Sequence, residues 1–399
     1  MYSMPLQEAL ACLPSLSDEQ RRALVSARAI SSLQLVFAQV PDPRDRCGRR
    51  YDLPFLLTCL VAALLCNCNS TSAVAQWCRE HRPLLRRVFG PRRHLTPSDS
   101  LYRRLLPRLS AEHLEWALAA WMRATRPSED REAVAVDGKT VRGAAPAPDQ
   151  AAPHLLAFCT HESQETLLQA PVGEKTNEIP VAQALVPALT WTGRVCTADA
   201  LHTQTAFVRA VRAAGGHVVL TVKDNQPTLL ADLALLFADS LTRVHEAETL
   251  DCRRGRREHR HLRVSTDLSA YLAMDSPWPD IAQVAQLTRR VVTKQAQRAE
   301  TVYLITTLPP EQASPHRLLE LVRGHWHIEN GLHYVRDVTF GEDRSRLRTG
   351  HAPQILAALR NLVIALIHRC GSRDIAATRR TFAYHPRRAL ALLLPSPPA

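Results

Sequence analysis

Two runs of small and β-branched residues, each ending in an aspartate, constrain the fold of this chain more than any other feature. The runs cover residues 132–137 and 194–199, and neither shows the polar alternation of a strand with one wet face. They are therefore predicted to be strands buried on both faces. In α/β sheets ligands bind at the carboxyl ends of such strands, so Asp137 and Asp199 are expected to emerge where a ligand would bind.

Strand-like and helical patterns alternate after the first run. Gly215 and Gly216 end one helix before a further strand begins. The predicted order is strand, strand, strand, helix, strand, helix, strand, which is the order of an RNase H-like core. After the 132–137 strand the elements are strands at 153–160 and 165–172, a helix at 179–189, the strand at 194–199, a helix at 203–214 and a strand at 217–223.

A third acidic residue, Glu329, lies in a helical pattern late in the chain. Apolar residues between 318 and 332 repeat at roughly helical spacing, so Glu329 borders a stripe that would pack on the sheet. Converging carboxylates repel each other unless a divalent cation neutralises them, and oxygen ligands favour Mg²⁺ or Mn²⁺. We predict that Asp137, Asp199 and Glu329 form such a site. Taken singly, an Asp after a strand is most often a turn former or helix cap.

Six motifs stand out along the chain and together resemble one family. They are VAVDGKTVRG (134–143), KTNEI (175–179), TADALHTQ (197–204), VKDNQP (222–227), HWHIEN (325–330) and LHYVRDV (332–338). From about residue 33 to 394 the chain resembles bacterial insertion-sequence DDE transposases of the ISAs type, whose relatives include the H-repeat-associated proteins. The resemblance implies an RNase H-like catalytic domain in which Asp137, Asp199 and Glu329 are the catalytic acids, bind divalent metal, and cut and join DNA.

The resemblance also implies basic side chains beside these acids. The broader superfamily has an arginine before its glutamate and a lysine seven residues after it, and here these positions hold His325 and Arg336. Seven residues are about two helical turns, so Arg336 is expected to share a face with Glu329. Both side chains are predicted to contact DNA phosphate. Lys223 and Gln226, which follow the fifth strand, are predicted to position DNA.

The charge of the chain points to a polyanionic partner. Its formal net charge is +12 and its pI is about 9.6. Residues 251–263 hold six arginines in thirteen positions, and binding through them would depend strongly on salt. Four of these arginines are predicted to bind DNA: Arg253, Arg254, Arg256 and Arg257.

At 399 residues the chain is too long for one ordinary core, so several domains are expected. Residues 1–127 are helical in pattern and either contact transposon ends or only pack against the core. Residues 128–227 would form the first part of the catalytic core and 228–316 a β-rich insertion that carries the arginines. Residues 317–399 would complete the core and end in a basic helical tail.

Other classes of protein fit the sequence poorly. The ten cysteines form no Cys-x-x-Cys pair, so zinc is not expected, and the lysine after Gly138 lacks the glycine spacing of a P-loop. The apolar run 53–66 has fourteen residues, fewer than the roughly 20 that span a bilayer. No secretion signal is recognised, which makes the bacterial cytoplasm, beside the nucleoid, the expected location.

These observations predict a transposase that cuts double-stranded DNA at insertion-sequence ends and joins the 3′-OH to target DNA by two-metal phosphoryl transfer. A homodimer is expected in the synaptic complex. Two alternatives stay open. One is a metal-dependent nuclease that does not join strands, and the other is a non-catalytic DNA-binding regulator derived from a transposase.

Overall fold

The structure is a computed structural model of the chain. It describes residues 33–90, 96–126, 131–145, 151–173, 177–253, 255–269, 271–272, 278, 280–294 and 296–393. The predicted boundary at 127–130, Arg254 and the Pro-rich end lie outside the described residues.

A mixed nine-stranded sheet forms the centre of the fold. Its order is β3-β2-β1-β4-β5-β9-β8-β7-β6. β1, β4 and β5 are parallel, and all other neighbours are antiparallel. The predicted α/β class is confirmed. The strands are β1 (Val134–Thr140), β2 (His154–Thr160), β3 (Thr166–Val172), β4 (Val195–Ala198), β5 (His217–Val222), β6 (His245–Arg253), β7 (Arg256–Ser265), β8 (Gln283–Val292) and β9 (Gln297–Thr306).

The segment predicted as a β-rich insertion continues this same sheet. β9 pairs with β5 through Val219 opposite Thr306, so β6–β9 extend the sheet beyond β5. The arginine-rich segment forms the hairpin of β6 and β7, which turns at Gly255 with a φ of +76°. That φ favours glycine. Leu262 and Val264 are buried on β7, and this inward alternation was hidden in the sequence by the arginines around it.

Thirteen α-helices of the described ranges are numbered in chain order, and six of them precede the sheet. They are α1 (Leu33–Ala38), α2 (Leu53–Leu65), α3 (Thr71–Glu80), α4 (Arg82–Phe89), α5 (Asp99–Leu105), α6 (Ala111–Thr125), α7 (Glu178–Leu185), α8 (Thr205–Ala213), α9 (Pro227–Ala238), α10 (Pro315–His325), α11 (Ala352–Arg369), α12 (Ile375–Tyr384) and α13 (Pro386–Ala391). None of the helices in these ranges has the length and hydropathy needed to cross a membrane.

The helices before the sheet share one core with the segment that carries Glu329. α2 is buried along almost its whole length, and α11 packs against it. Ile328 and Leu332 belong to the same cluster of buried side chains as Phe37 and Leu56. Each such side chain contributes about 1.5–3 kcal/mol on burial. Separating residues 33–126 from the rest would expose this surface, so the domain boundaries stay a prediction.

A chain of buried polar side chains crosses from α6 to α11. Glu115 Oε1 accepts a hydrogen bond from Gln169 Nε2 at 2.6 Å, and Arg336 Nη1 donates to Gln169 Oε1 at 3.2 Å. The two guanidinium groups of Arg336 and Arg360 both contact the Glu342 carboxylate, at 2.8 Å in each case. Burial raises the pKa of Glu115 to about 8, against the opposing effects of Gln169 and Arg336.

The raised pKa of Glu115 predicts a loss of stability in base. The folded state holds the proton between pH 4.5 and about 8 while the unfolded chain releases it, so the free energy of unfolding falls as pH rises. Glu115→Gln keeps an acceptor and a donor but cannot ionise. We expect wild type to lose up to about 1.4 kcal/mol per pH unit relative to the variant over this range. Urea unfolding at pH 5, 6.5 and 8 measures this, and parallel pH profiles would contradict it.

Candidate metal centre

The register of the sheet brings the two predicted aspartates to one place. β1 and β4 are parallel with Val136 opposite Ala198, so Asp137 and Asp199 follow at neighbouring positions. The Asp137 side chain is 19% exposed, whereas Asp199 is exposed. Asp199 Oδ1 accepts a hydrogen bond from the backbone N–H of Leu201 at 3.0 Å. Asp199 therefore also serves as the turn-capping residue that a lone Asp most often is.

Glu329 lies on wider turns than those of an α-helix. α10 ends at His325, and the chain continues as π-helical turns at Ile328–His333 and Val335–Thr339. Such turns are rare in proteins, and those that occur are often found at functional sites. A Cβ at Gly324 would lie 2.2 Å from His161 Nδ1, so only glycine lets the end of α10 lie against the sheet here.

Asp137, Glu329 and His333 form a compact group of metal-binding side chains. One ligand atom from each lies within 4.8 Å of the others. His333 Nδ1 is 3.4 Å from Asp137 Oδ2 and 3.5 Å from Glu329 Oε2. Asp199 lies outside this group. His333 was missed in the sequence, although its position four residues after Glu329, within the LHYVRDV motif, was a usable signal.

The two carboxylates of this group perturb each other. Burial raises the pKa of Asp137 to about 8, and Glu329 raises it further. A hydrogen bond from His333 holds the pKa of Glu329 at about 2, and burial opposes this. Burial also lowers the pKa of His333. The site therefore holds two closely spaced acids, and the nearby Lys139 ammonium already contacts Asp337 at 2.5 Å, an arrangement that favours binding of a cation.

A cleft of about 790 Å³ opens over this group. Of the predicted DNA contacts, Lys223 and His325 line it, whereas Gln226 does not. Gln226 Nε2 donates to the carbonyl of Thr203 at 2.9 Å, so this amide ties two loops together. Other cleft residues are the acids Asp137, Asp199, Glu162, Glu300, Glu320 and Glu329, the arginines Arg260, Arg289, Arg317 and Arg323, and Trp326.

His325 lies in a short chain of hydrogen-bonding side chains behind the cleft. Its Nδ1 is 3.2 Å from Thr197 Oγ1, which is 2.8 Å from His161 Nε2. Burial lowers the pKa of His325, although the Asp199 charge opposes this. His325 is therefore neutral at neutral pH and can offer a phosphate a hydrogen bond but not a full charge.

Arg336 does not lie where the sequence predicted. Its side chain is fully buried, with Nη2 2.8 Å from Glu342 Oε2, and it has no surface to offer a phosphate. The prediction assumed α-helical phase, whereas the π-helical turns change the direction in which a residue seven positions after Glu329 points. Arg336 instead stabilises the chain between Glu329 and Glu342 through its buried ion pair with Glu342.

The arginine-rich hairpin carries less free charge than its sequence suggested. Arg256 contacts Glu258 at 2.8 Å, and Arg260 contacts both Glu258 and Asp251 at 2.5 and 2.6 Å. Arg257 is exposed, and Arg253 is the last residue of β6. Ion pairs within the hairpin thus compensate part of the cluster on which DNA binding was predicted to rest.

Comparison with known proteins identifies the class of this chain. Residues 128–366, more than half of the chain, match the family described as Transposase DDE domain, and residues 35–122 match the DDE_Tnp_1-associated family. The chain therefore belongs to the DDE transposase family, as the motifs predicted.

Curated relatives are similar over most of their length. "Putative transposase YncI" of Escherichia coli O157:H7 is 24% identical over 346 residues, 86% of this chain and 88% of that protein. "H repeat-associated putative transposase YhhI" of Escherichia coli K12 is 24% identical over 82% of this chain and 88% of its own. A cryo-EM structure of the piggyBac transposase synaptic complex with hairpin DNA aligns with 94% of this chain and 82% of its own. At a TM-score of 0.47 and 10% identity, that likeness carries no inference.

Proposed function

We propose that this protein is an active DNA transposase that cuts at the ends of its insertion sequence and joins the freed 3′-OH to target DNA. The observation that carries the proposal is the group of Asp137, Glu329 and His333, of which the two acids line an open cleft, in a chain of the DDE transposase family. The order β3-β2-β1-β4-β5, with three antiparallel and then parallel strands, supports an RNase H-like core.

The side chains present fit a divalent cation. Their ligand atoms lie within 4.8 Å, as ligands of one ion would, and two of the three are carboxylates. Oxygen ligands favour Mg²⁺ or Mn²⁺, and the imidazole of His333 makes Mn²⁺ the better-suited of the two. When bound, such an ion would polarise the scissile phosphate and offset the charge that develops on it.

The residues around the acids would take the remaining roles in metal and phosphate binding. Glu329, with its side chain 55% exposed, faces the cleft, while His333 holds it beside Asp137. Asp199 would complete the ligand set once its carboxylate turns from capping Leu201 toward the cleft. Lys223 and the neutral His325 would contact phosphate there, and a DNA duplex would approach from the open side.

The proposal is tested with DNA that carries the sequences flanking this gene. Purified full-length protein, Mg²⁺ or Mn²⁺ and a labelled end fragment should give cleavage at the end, and a pre-cut end should be joined to a plasmid. Cleavage without joined product would favour the nuclease alternative. Binding with neither reaction would favour the regulator. We also expect two protomers in the complex with paired ends, which light scattering would measure.

A further inference from the structure

A row of exposed arginines follows the segment that carries Glu329 and His333. Residues 345–348 belong to no helix or strand, and Ser345 has an extended backbone with φ −63° and ψ 134°. Arg344, Arg346 and Arg348 are exposed, whereas the two residues between them are half-buried. Alternate residues of an extended chain point the same way and lie about 6.6 Å apart, so Arg346 and Arg348 are expected to share one side of this segment. Arg344 is the last residue of the 3-10 turn that precedes the segment. These three residues, the arginine row, place three exposed positive charges close together along the chain.

The arginine row is held firmly at its start. Glu342 is fully buried against Arg336 and Arg360, and the backbone N–H of Gly143 donates to Asp343 Oδ1 at 3.2 Å. Further along, Leu347 packs against the core that the helices before the sheet share with α11. Rigid placement lowers the entropy that these long side chains lose on binding.

The arginine row differs from the cleft arginines in its lack of acidic partners. Arg317 contacts Glu320 at 3.1 Å and Arg323 contacts Asp251 at 2.9 Å. Within the described part of the chain, none of the arginines in the row makes an ion pair. Their charges are free to meet a polyanion.

A groove of about 500 Å³ runs beside the arginine row. Its lining includes Arg344 and Arg346, the hydroxyl-bearing Ser70 and Ser72, and Arg103, which contacts Asp99 at 2.8 Å. Hydroxyl and guanidinium groups are the side chains that commonly hold phosphate oxygens in DNA complexes. The groove therefore joins the helices before the sheet to the segment that carries Glu329.

We infer that the arginine row and its groove hold the phosphate backbone of double-stranded DNA. Successive phosphates of one strand advance about 3.4 Å along the helix axis and also turn around it, so neighbouring phosphates lie farther apart than about 3.4 Å, on a scale comparable with the spacing of the row. Arg336, three residues after His333, donates a hydrogen bond to the carboxylate of Glu342, which lies two residues before the row. DNA on the row would therefore be held at a fixed distance from the acids. The inference rests on the proposed function and names the surface on which its DNA lies.

The test is the salt dependence of DNA binding by full-length protein in EDTA, with a 40-base-pair duplex as probe. Arg344→Ala/Arg346→Ala/Arg348→Ala should lower the slope of log K against log salt by about 0.9 for each phosphate that the row neutralises, nearly three in all. Arg344→Lys/Arg346→Lys/Arg348→Lys should keep it. The control R209A/R243A/R298A removes the same charge from exposed positions elsewhere and should change the slope little.

Each outcome decides between the alternatives. Equal slopes for the triple-alanine variant and the control would overturn the inference, since net charge alone would then explain binding. Failure of wild type to bind any duplex would overturn both this inference and the proposed function, whereas binding without a role for the row overturns only the inference. If the triple-alanine variant does not fold by circular dichroism, Arg346→Ala alone should lower the slope by about 0.9, and an unchanged slope would overturn it.

Discussion

Asp137→Asn and Glu329→Gln are expected to lower metal-dependent DNA cleavage by on the order of 10³-fold or more. The two carboxylates supply most of the negative charge at the metal group, and a bound cation contributes several kcal/mol to phosphoryl transfer at 1.36 kcal/mol per tenfold in rate. Single-turnover cleavage of an end fragment in Mg²⁺ measures the effect. Wild-type rates in either variant would remove that residue from the site.

Asp199→Asn separates catalysis from turn capping. Asn can still accept the backbone hydrogen bond from Leu201, so folding should be unchanged while cleavage falls. Asp239→Asn is the matched control, because Asp239 Oδ1 accepts in the same way from Leu241 at 2.9 Å, away from the cleft. Equal activity of the two variants would leave Asp199 with a capping role alone.

The stability of the metal-free protein should fall at high pH because Asp137 then ionises beside Glu329. The pKa of Asp137 is raised in the folded state, so its contribution to stability is complete below pH 3.8 and is lost as pH rises to about 8. Asp137→Asn removes this loss and should raise the melting temperature at pH 8 in EDTA. Mg²⁺ should stabilise wild type and not the variant. A variant that melts below wild type in EDTA would contradict this electrostatic account.

The sequence predicted the elements whose residues carry a strong local pattern. The mostly apolar runs of β4 and α2 could be placed because burial on every side leaves no polar alternation. β6 and β7 were not recognised as strands, because their buried residues, such as Leu262, alternate with arginines that dominate the composition. Their place in the sheet depends on pairing with β8 and β9, which a local pattern does not contain.

At the candidate site the sequence predicted which residues take part better than where their side chains point. Asp137 and Glu329 come together as the motifs implied, but Arg336 is buried against Glu342, and His333, for which the sequence predicted no role, joins the two acids. Both differences have one cause, the π-helical turns after α10, whose i→i+5 hydrogen bonds no side-chain pattern specifies. Glu342 gave no signal either, because its partners Arg336 and Arg360 lie 6 and 18 residues away and meet it only through tertiary packing.

Glu342→Gln is expected to lower the free energy of unfolding by about 3–5 kcal/mol, the usual cost of removing one partner of a buried ion pair. Glu342 is fully buried and is the shared carboxylate of Arg336 and Arg360, so its neutralisation leaves two buried guanidinium groups without compensation. Melting temperature should fall by on the order of 10 °C. Glu320→Gln is the control, since Glu320 is 67% exposed in its pair with Arg317 and should change stability little.

Charge balance rather than packing should account for that loss. Replacing all three groups together, as Arg336→Met/Glu342→Met/Arg360→Met, removes the buried charges and keeps similar volume, and such replacements are often neutral or stabilising. We therefore expect the triple variant to melt well above Glu342→Gln. Its Mg²⁺-dependent stabilisation should nevertheless be weaker than in wild type, because Arg336 lies three residues after His333 and fixes the turns that bring His333 to Asp137. A triple variant that melts no higher than Glu342→Gln would show that the hydrogen bonds among Arg336, Glu342 and Arg360, and not their charge balance, hold the segment with Glu329 and His333 in place.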